Sequence, residues 1–146
     1  MTAFAHKALL CSLYDQVVNA GQLRRIPEFL APGFVGHLSG LDSPVRGPAG
    51  FAEVIVALRS TFPDLNTAIE GGWLLHELDT HVVGKGRSID RLAALVVYRG
   101  TSRDHAEMTW SEAVFGRVED GRIAELITVA DPLIPVRSDV LAGTTA

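Results

Sequence analysis

The chain has 146 residues, 47% of them hydrophobic and 21% charged, with a formal net charge of −4. This is the balance of one globular domain large enough to bury a sizeable core, and the acidic pI near 5.7 argues against a nucleic-acid partner. The longest basic cluster, Leu23-Arg24-Arg25, is too short to make a patch, and one cysteine, Cys11, excludes an internal disulfide framework.

Residues 4 to about 19 place Leu9, Leu10, Leu13, Tyr14, Val17 and Val18 at helical spacing, and Asn19-Ala20-Gly21 ends the helix. Cys11 falls inside this apolar pattern and reads as core. Before it, the N-terminal residues lack the charged start and long apolar run of a signal peptide. No apolar stretch reaches membrane-spanning length, so a soluble, cytoplasmic protein with no membrane contact is expected. A short second helix is expected over 22–30, with Pro27 near its first turn, then a short strand from Phe34 to Leu38.

The segment S-G-L-D-S-P-V-R-G-P is turn chemistry, and Pro48 suits the start of a third helix over about 48–61. Its apolar stripe is Phe51, Val54, Ile55, Leu58 and Phe62, and Pro63 stops it. From there the period changes to two. Strands are expected at about 66–76, 91–99, 107–118 and 122–130, with 77–90 as the loosest connection and a loosely ordered tail after Pro135. The strand around 92–98 is apolar on both faces, which suggests helices on one side and another subunit on the other. Helices first and strands after them mean an α+β fold: a curved, mainly antiparallel sheet around three helices, leaving a conical pocket.

The last two strands flank Glu119-Asp120-Gly121, a hairpin signal. By strand parity Met108, Trp110, Glu112 and Val114 share the apolar face, so a carboxylate is aimed into the hydrophobic side. Burial would raise its pKa toward neutrality and suit it to acid–base work; a salt bridge or an exposed strand end is the structural alternative. A three-residue loop would set Glu112 opposite Thr128, whereas a two-residue turn would set it opposite Val129.

Taken together, Asn19-Ala20-Gly21-Gln22-Leu23, F-L-A-P-G-F-V-G-H, R-G-P-A-G-F, T-F-P-D-L, and R-V-E-D-G-R-I-A-E-L with Asp131 resemble the SnoaL-like polyketide cyclases. These belong to the ketosteroid-isomerase-like superfamily with its nuclear-transport-factor cone, and the resemblance runs over about residues 8 to 133. It implies the cone fold and a hydrophobic biosynthetic substrate of polyketide type. The aldol-type cyclases place a general-base aspartate seven residues after the turn glycine, a position held here by Thr128, and the family pattern favours the three-residue loop. Tyr14 with D-Q-V-V-N-A-G resembles the oxyanion-donating tyrosine of ketosteroid isomerase, whose base would fall near His37 or Leu38. Before the Trp110 strand this chain has only T-S-R-D-H, shorter than the loop relatives often carry.

The expected activity is a cofactor-independent cyclase or isomerase. Glu112 would transfer the proton with help from His37 or Asp131, Tyr14 would hold an oxyanion, and Trp110, Thr128 and Phe51 would contact substrate. An epoxide hydrolase or hydratase, or a non-catalytic small-molecule binder, are the alternatives on the same cone. His76, His81 and His105 are scattered without partner ligands, so no metal site is expected. Ala113 and Phe115, on the face opposite Glu112, point to a homodimer through the outer side of the sheet.

Overall fold

The computed structural model describes residues 3–69, 82–83, 87–88 and 90–130. The first helix opens as α1, Ala3–Ser12, and continues without a break into a π-helical segment, Leu13–Asn19. The wider turns bury Leu13, Tyr14, Val17 and Val18 together. Arg59 donates to the terminal carbonyls of Val18 and Asn19 at 2.9 and 2.7 Å, supplying partners that a helix end otherwise lacks. Gly21, at φ +72°, then turns the chain out of the helix as its position suggested.

A 3₁₀ turn, Leu23–Arg25, leads into α2, Ile26–Phe29, with Pro27 in its first turn. The chain then forms β1, Leu30–His37, the two-residue β2, Val45–Arg46, and α3, Gly47–Thr61, again with a proline at its start. β2 lies inside the segment expected to be all turn; it pairs with β1 through Val35 opposite Arg46.

The remaining strands are β3 (Asn66–Ile69), β4 (Val82–Val83), β5 (Arg87–Ser88), β6 (Asp90–Thr101), β7 (Glu107–Glu119) and β8 (Arg122–Ala130). β4 and β5 form a small ladder within the stretch expected to be a loose connection; Val82-Val83 is β-branched and a good strand former. Beyond Ile69, the rest of the strand expected to reach residue 76 lies outside the described residues, as does the tail after Pro135.

Six strands make one curved, unclosed sheet in the order β2-β1-β8-β7-β6-β3. All pairings are antiparallel except β1 with β8. The fold is therefore α+β, three helices on a mostly antiparallel sheet, as expected. Its core lies between the helices and the concave face, where Val17, Phe34, Phe62, Val96, Trp110 and Val114 are at most 1% exposed. Asn19 ties the first helix to the sheet edge: its Oδ1 accepts from Thr67 N at 2.7 Å and Thr67 Oγ1 at 2.8 Å.

Candidate active site

Glu112 sits on β7 between Trp110 and Val114, and is 5% exposed. Strand parity alone puts it on the concave face, opposite Val96 of β6. Its neighbours on β8 are set by the hairpin. Asp120 and Gly121 both have positive φ, 51° and 79°, the signature of a two-residue type I′ turn. Glu119 pairs with Arg122 and Val118 with Ile123, but Arg117 then pairs with Glu125. Ala124 is an extra residue, a β-bulge.

That bulge overturns both registers considered from the sequence. Glu112 lies opposite Ala130, and Thr128 lies opposite Val114, diagonal to Glu112. It also changes which side chains face inward. Without the extra residue Ile127 and Val129 would share the face of Glu112; with it Leu126 and Thr128 do. The burial pattern marks the switch, because adjacent Ile123 and Ala124 are both buried.

Between helices and sheet lies a cavity of about 40 Å³ whose polar lining includes Tyr14, Ser39, Tyr98, Glu112 and Thr128. Phe51, Val54, Ile55 and Leu58 of α3 supply much of the apolar wall. The space holds a few water molecules or the reacting fragment of a larger molecule; a whole drug-sized ligand needs several hundred cubic ångströms.

The polar groups form one connected set. Ser39 N donates to Thr128 Oγ1 at 2.8 Å, which leaves the threonine proton for Glu112. Tyr98 also hydrogen-bonds Glu112, and its hydroxyl oxygen is 3.3 Å from that of Tyr14. Burial pushes the Glu112 carboxyl above its ordinary range, and the bonds from Tyr98 and Thr128 offset part of that rise. Burial likewise raises both tyrosines, with further rises from the Glu112 charge, so they keep their protons at neutral pH. A carboxyl poised upward beside two neutral phenols can exchange a proton with a bound molecule and donate to a developing anion.

The structure therefore brings Glu112, Tyr14, Thr128 and Phe51 to one cavity. Trp110 is buried behind it, its ring stacked on Tyr98 with centroids 5.1 Å apart. His37 is exposed and does not line the cavity. Phe34 and Gly36 face inward on β1, so parity turns His37 outward. Asp131 lies outside the described residues. Tyr98 and Ser39 were not found from the sequence. Tyr98 lies two residues from Val96, the partner of Glu112, and so on the same face of β6, but that pairing is not written in the strand's own alternation. Ser39 follows β1 in a turn, where no periodic pattern marks it. Among the described residues no three His, Cys, Asp or Glu side chains are grouped to hold a metal.

The sequence matches the SnoaL-like polyketide cyclase family over residues 8–137. The chain belongs to that family. A loop-truncation variant of IdmH is 25% identical over 88% of this chain and 94% of its own, with a TM-score of 0.66. TsrD from Streptomyces laurentii is 18% identical over 92% and 93%, at TM-score 0.71. An NTF2-like protein from Exiguobacterium is 17% identical over 85% and 98%, at TM-score 0.63, and places the fold among the NTF2-like cones. Comparison with curated proteins gives no match. No helix among the described residues is long and apolar enough to cross a membrane.

Proposed function

We propose that this family member is a cofactor-independent cyclase or isomerase that acts by proton transfer on a hydrophobic, polyketide-like intermediate. The observation that carries the reading is Glu112: a carboxyl buried on the floor of a largely apolar cavity, hydrogen-bonded by two hydroxyls. In this reading Glu112 takes a proton from a carbon next to a carbonyl, Tyr14 donates to the oxygen that becomes anionic, and Glu112 returns the proton elsewhere. Thr128, held by Ser39, orients the carboxylate rather than acting as a base. Phe51 packs against the substrate, whose reacting part alone enters the cavity. The epoxide-hydrolase alternative needs a water held by two acids, and among the described residues one carboxyl lines the cavity.

The outer face of the sheet supports a homodimer. Phe115, Ile127 and Val129 are 44%, 39% and 54% exposed there, next to half-buried Leu95, Val97 and Ala113. A contiguous apolar strip of this kind is where a second copy would sit. A cytoplasmic setting fits the lone free cysteine.

The test is Glu112→Gln, which keeps the shape and removes the titration. A small β,γ-unsaturated ketone, whose conversion to the conjugated isomer requires one proton removed and one returned, serves as probe. The variant should bind it normally and lose about two to four orders of magnitude in rate. Turnover equal to that of the unaltered protein would sink the assignment.

A further inference from the structure

Tyr98 stands between the two groups that the proposed chemistry uses separately. Its hydroxyl is 3.3 Å from that of Tyr14 and also bonds the Glu112 carboxyl. Its position is fixed by stacking: the ring lies 8° from parallel to Trp110 and edge-on to Tyr14, with centroids 5.1 and 6.3 Å away. A tyrosine has one proton to donate, and here there are two partners for it.

We propose that Tyr98 is a positioning residue that couples proton transfer at Glu112 to oxyanion stabilisation by Tyr14, by reversing the hydrogen bonds along the three side chains. The proposal rests on the proton-transfer reading above. While Glu112 is ionised, Tyr98 commits its proton to the carboxylate. Its oxygen then accepts from Tyr14, whose proton is turned away from the cavity. When Glu112 removes a proton from substrate, the C–H bond breaks, an O–H bond forms on the carboxyl, and the electron pair moves to the substrate carbonyl oxygen. The carboxyl is now neutral and releases Tyr98, which turns its O–H toward the Tyr14 oxygen. Tyr14 thereby frees its own proton to point at the new oxyanion. No proton passes between side chains; only the direction of donation changes, so the donor is presented as the charge appears. When the proton leaves Glu112 again, the chain resets.

Nothing else charged competes for these bonds among the described lining residues. The first helix contributes Tyr14, β6 contributes Tyr98, and β8 contributes Thr128, whose oxygen is taken by Ser39 N at 2.8 Å. The α3 residues facing the carboxyl are apolar.

The experiment is a ¹³C NMR titration of the glutamate carboxyls, with the Glu112 signal assigned by its loss in Glu112→Gln. Tyr98→Phe keeps the ring and its stack while removing the hydroxyl. The Glu112 midpoint should move further up in Tyr98→Phe. Tyr14→Phe should also raise it, but only while Tyr98 is present, because the bond from Tyr14 reaches the carboxylate through Tyr98. On the ketone probe Tyr98→Phe should lower kcat about tenfold with KM unchanged, the worth of one hydrogen bond made only in the transition state. A midpoint identical in the unaltered protein and Tyr98→Phe, or one that Tyr14→Phe moves equally in both backgrounds, overturns the coupling. Failure of the underlying reading would look different: full turnover in Glu112→Gln, whatever the titrations give.

Discussion

Thr128→Val separates two things that Thr128 does. The replacement is nearly isosteric, but its γ-methyl neither accepts from Ser39 N, now 2.8 Å away, nor donates to Glu112. The first loss strands a partly buried backbone donor and costs about 1–2 kcal/mol at any pH. The second removes a bond to a charged acceptor, worth roughly a further 1.5–3 kcal/mol where Glu112 is ionised and less where it is neutral. The sign follows from burial. Glu112 already has its folded pKa above the unfolded value, so its contribution is intact below the unfolded pKa and is lost as pH rises through the folded one. Removing a donor that favoured the anion raises the folded pKa again. The gap between the two proteins should thus open between their two folded pKa values and stay constant above. With unfolding entropy near 2 cal/mol/K per residue, each kcal/mol is about 3 °C of Tm for a chain this long. Thermal unfolding from pH 3 to 9 should show Tm lower by about 3–6 °C in acid, and by several degrees more at the alkaline end. A deficit that does not change with pH would show that Thr128 does not support the ionised carboxyl, and the site's hydrogen-bond order would be wrong.

Gly100→Ala should lower stability by about 1–3 kcal/mol, because the new methyl would lie 2.8 Å from Phe62 Cβ and 3.0 Å from its Cδ1. Phe62 is fully buried against Trp110, with ring centroids 5.2 Å apart, and has no room to retreat; an unchanged Tm would refute the packing. On the outer face, light scattering should show a dimer for the unaltered chain and a monomer for Phe115→Lys; a monomer at every concentration for the former would reject the interface.

Most of the fold was legible because its signals are local. The Pro48 start and the apolar stripe of α3, Gly21 after the first helix, and the alternation of β7 each report a backbone preference or a single buried face. Parity also sufficed to aim Glu112 inward. What the sequence concealed depends on longer-range arrangement. His37 was expected to help Glu112, but the inward residues of β1 are Phe34 and Gly36, which put it on the other side. Tyr98 was hidden for the opposite reason: β6 is apolar on both faces, so its alternation does not say which face holds the site.

The β8 strand shows why hydrophobicity alone misassigns such a site. From Arg122 to Ala130 one parity offers Ile123, Glu125, Ile127 and Val129, and the other offers Arg122, Ala124, Leu126, Thr128 and Ala130. Apart from Glu125, the first set is the greasier and would ordinarily be taken as the buried one. The bulge at Ala124 lets the chain use both. Ile123 stays inside at the hairpin end, and beyond it the inward side passes to Leu126 and Thr128 while Ile127 and Val129 turn out. Such an inversion is costly for a lone monomer, since it exposes β-branched side chains and buries a hydroxyl. It becomes favourable if the hydroxyl is bonded, as it is to Ser39 and Glu112, and if the outer side chains are covered by a second copy. One inserted residue thus links the two proposals: the register that brings Thr128 to the carboxylate is the register that presents Ile127 and Val129 as an interface.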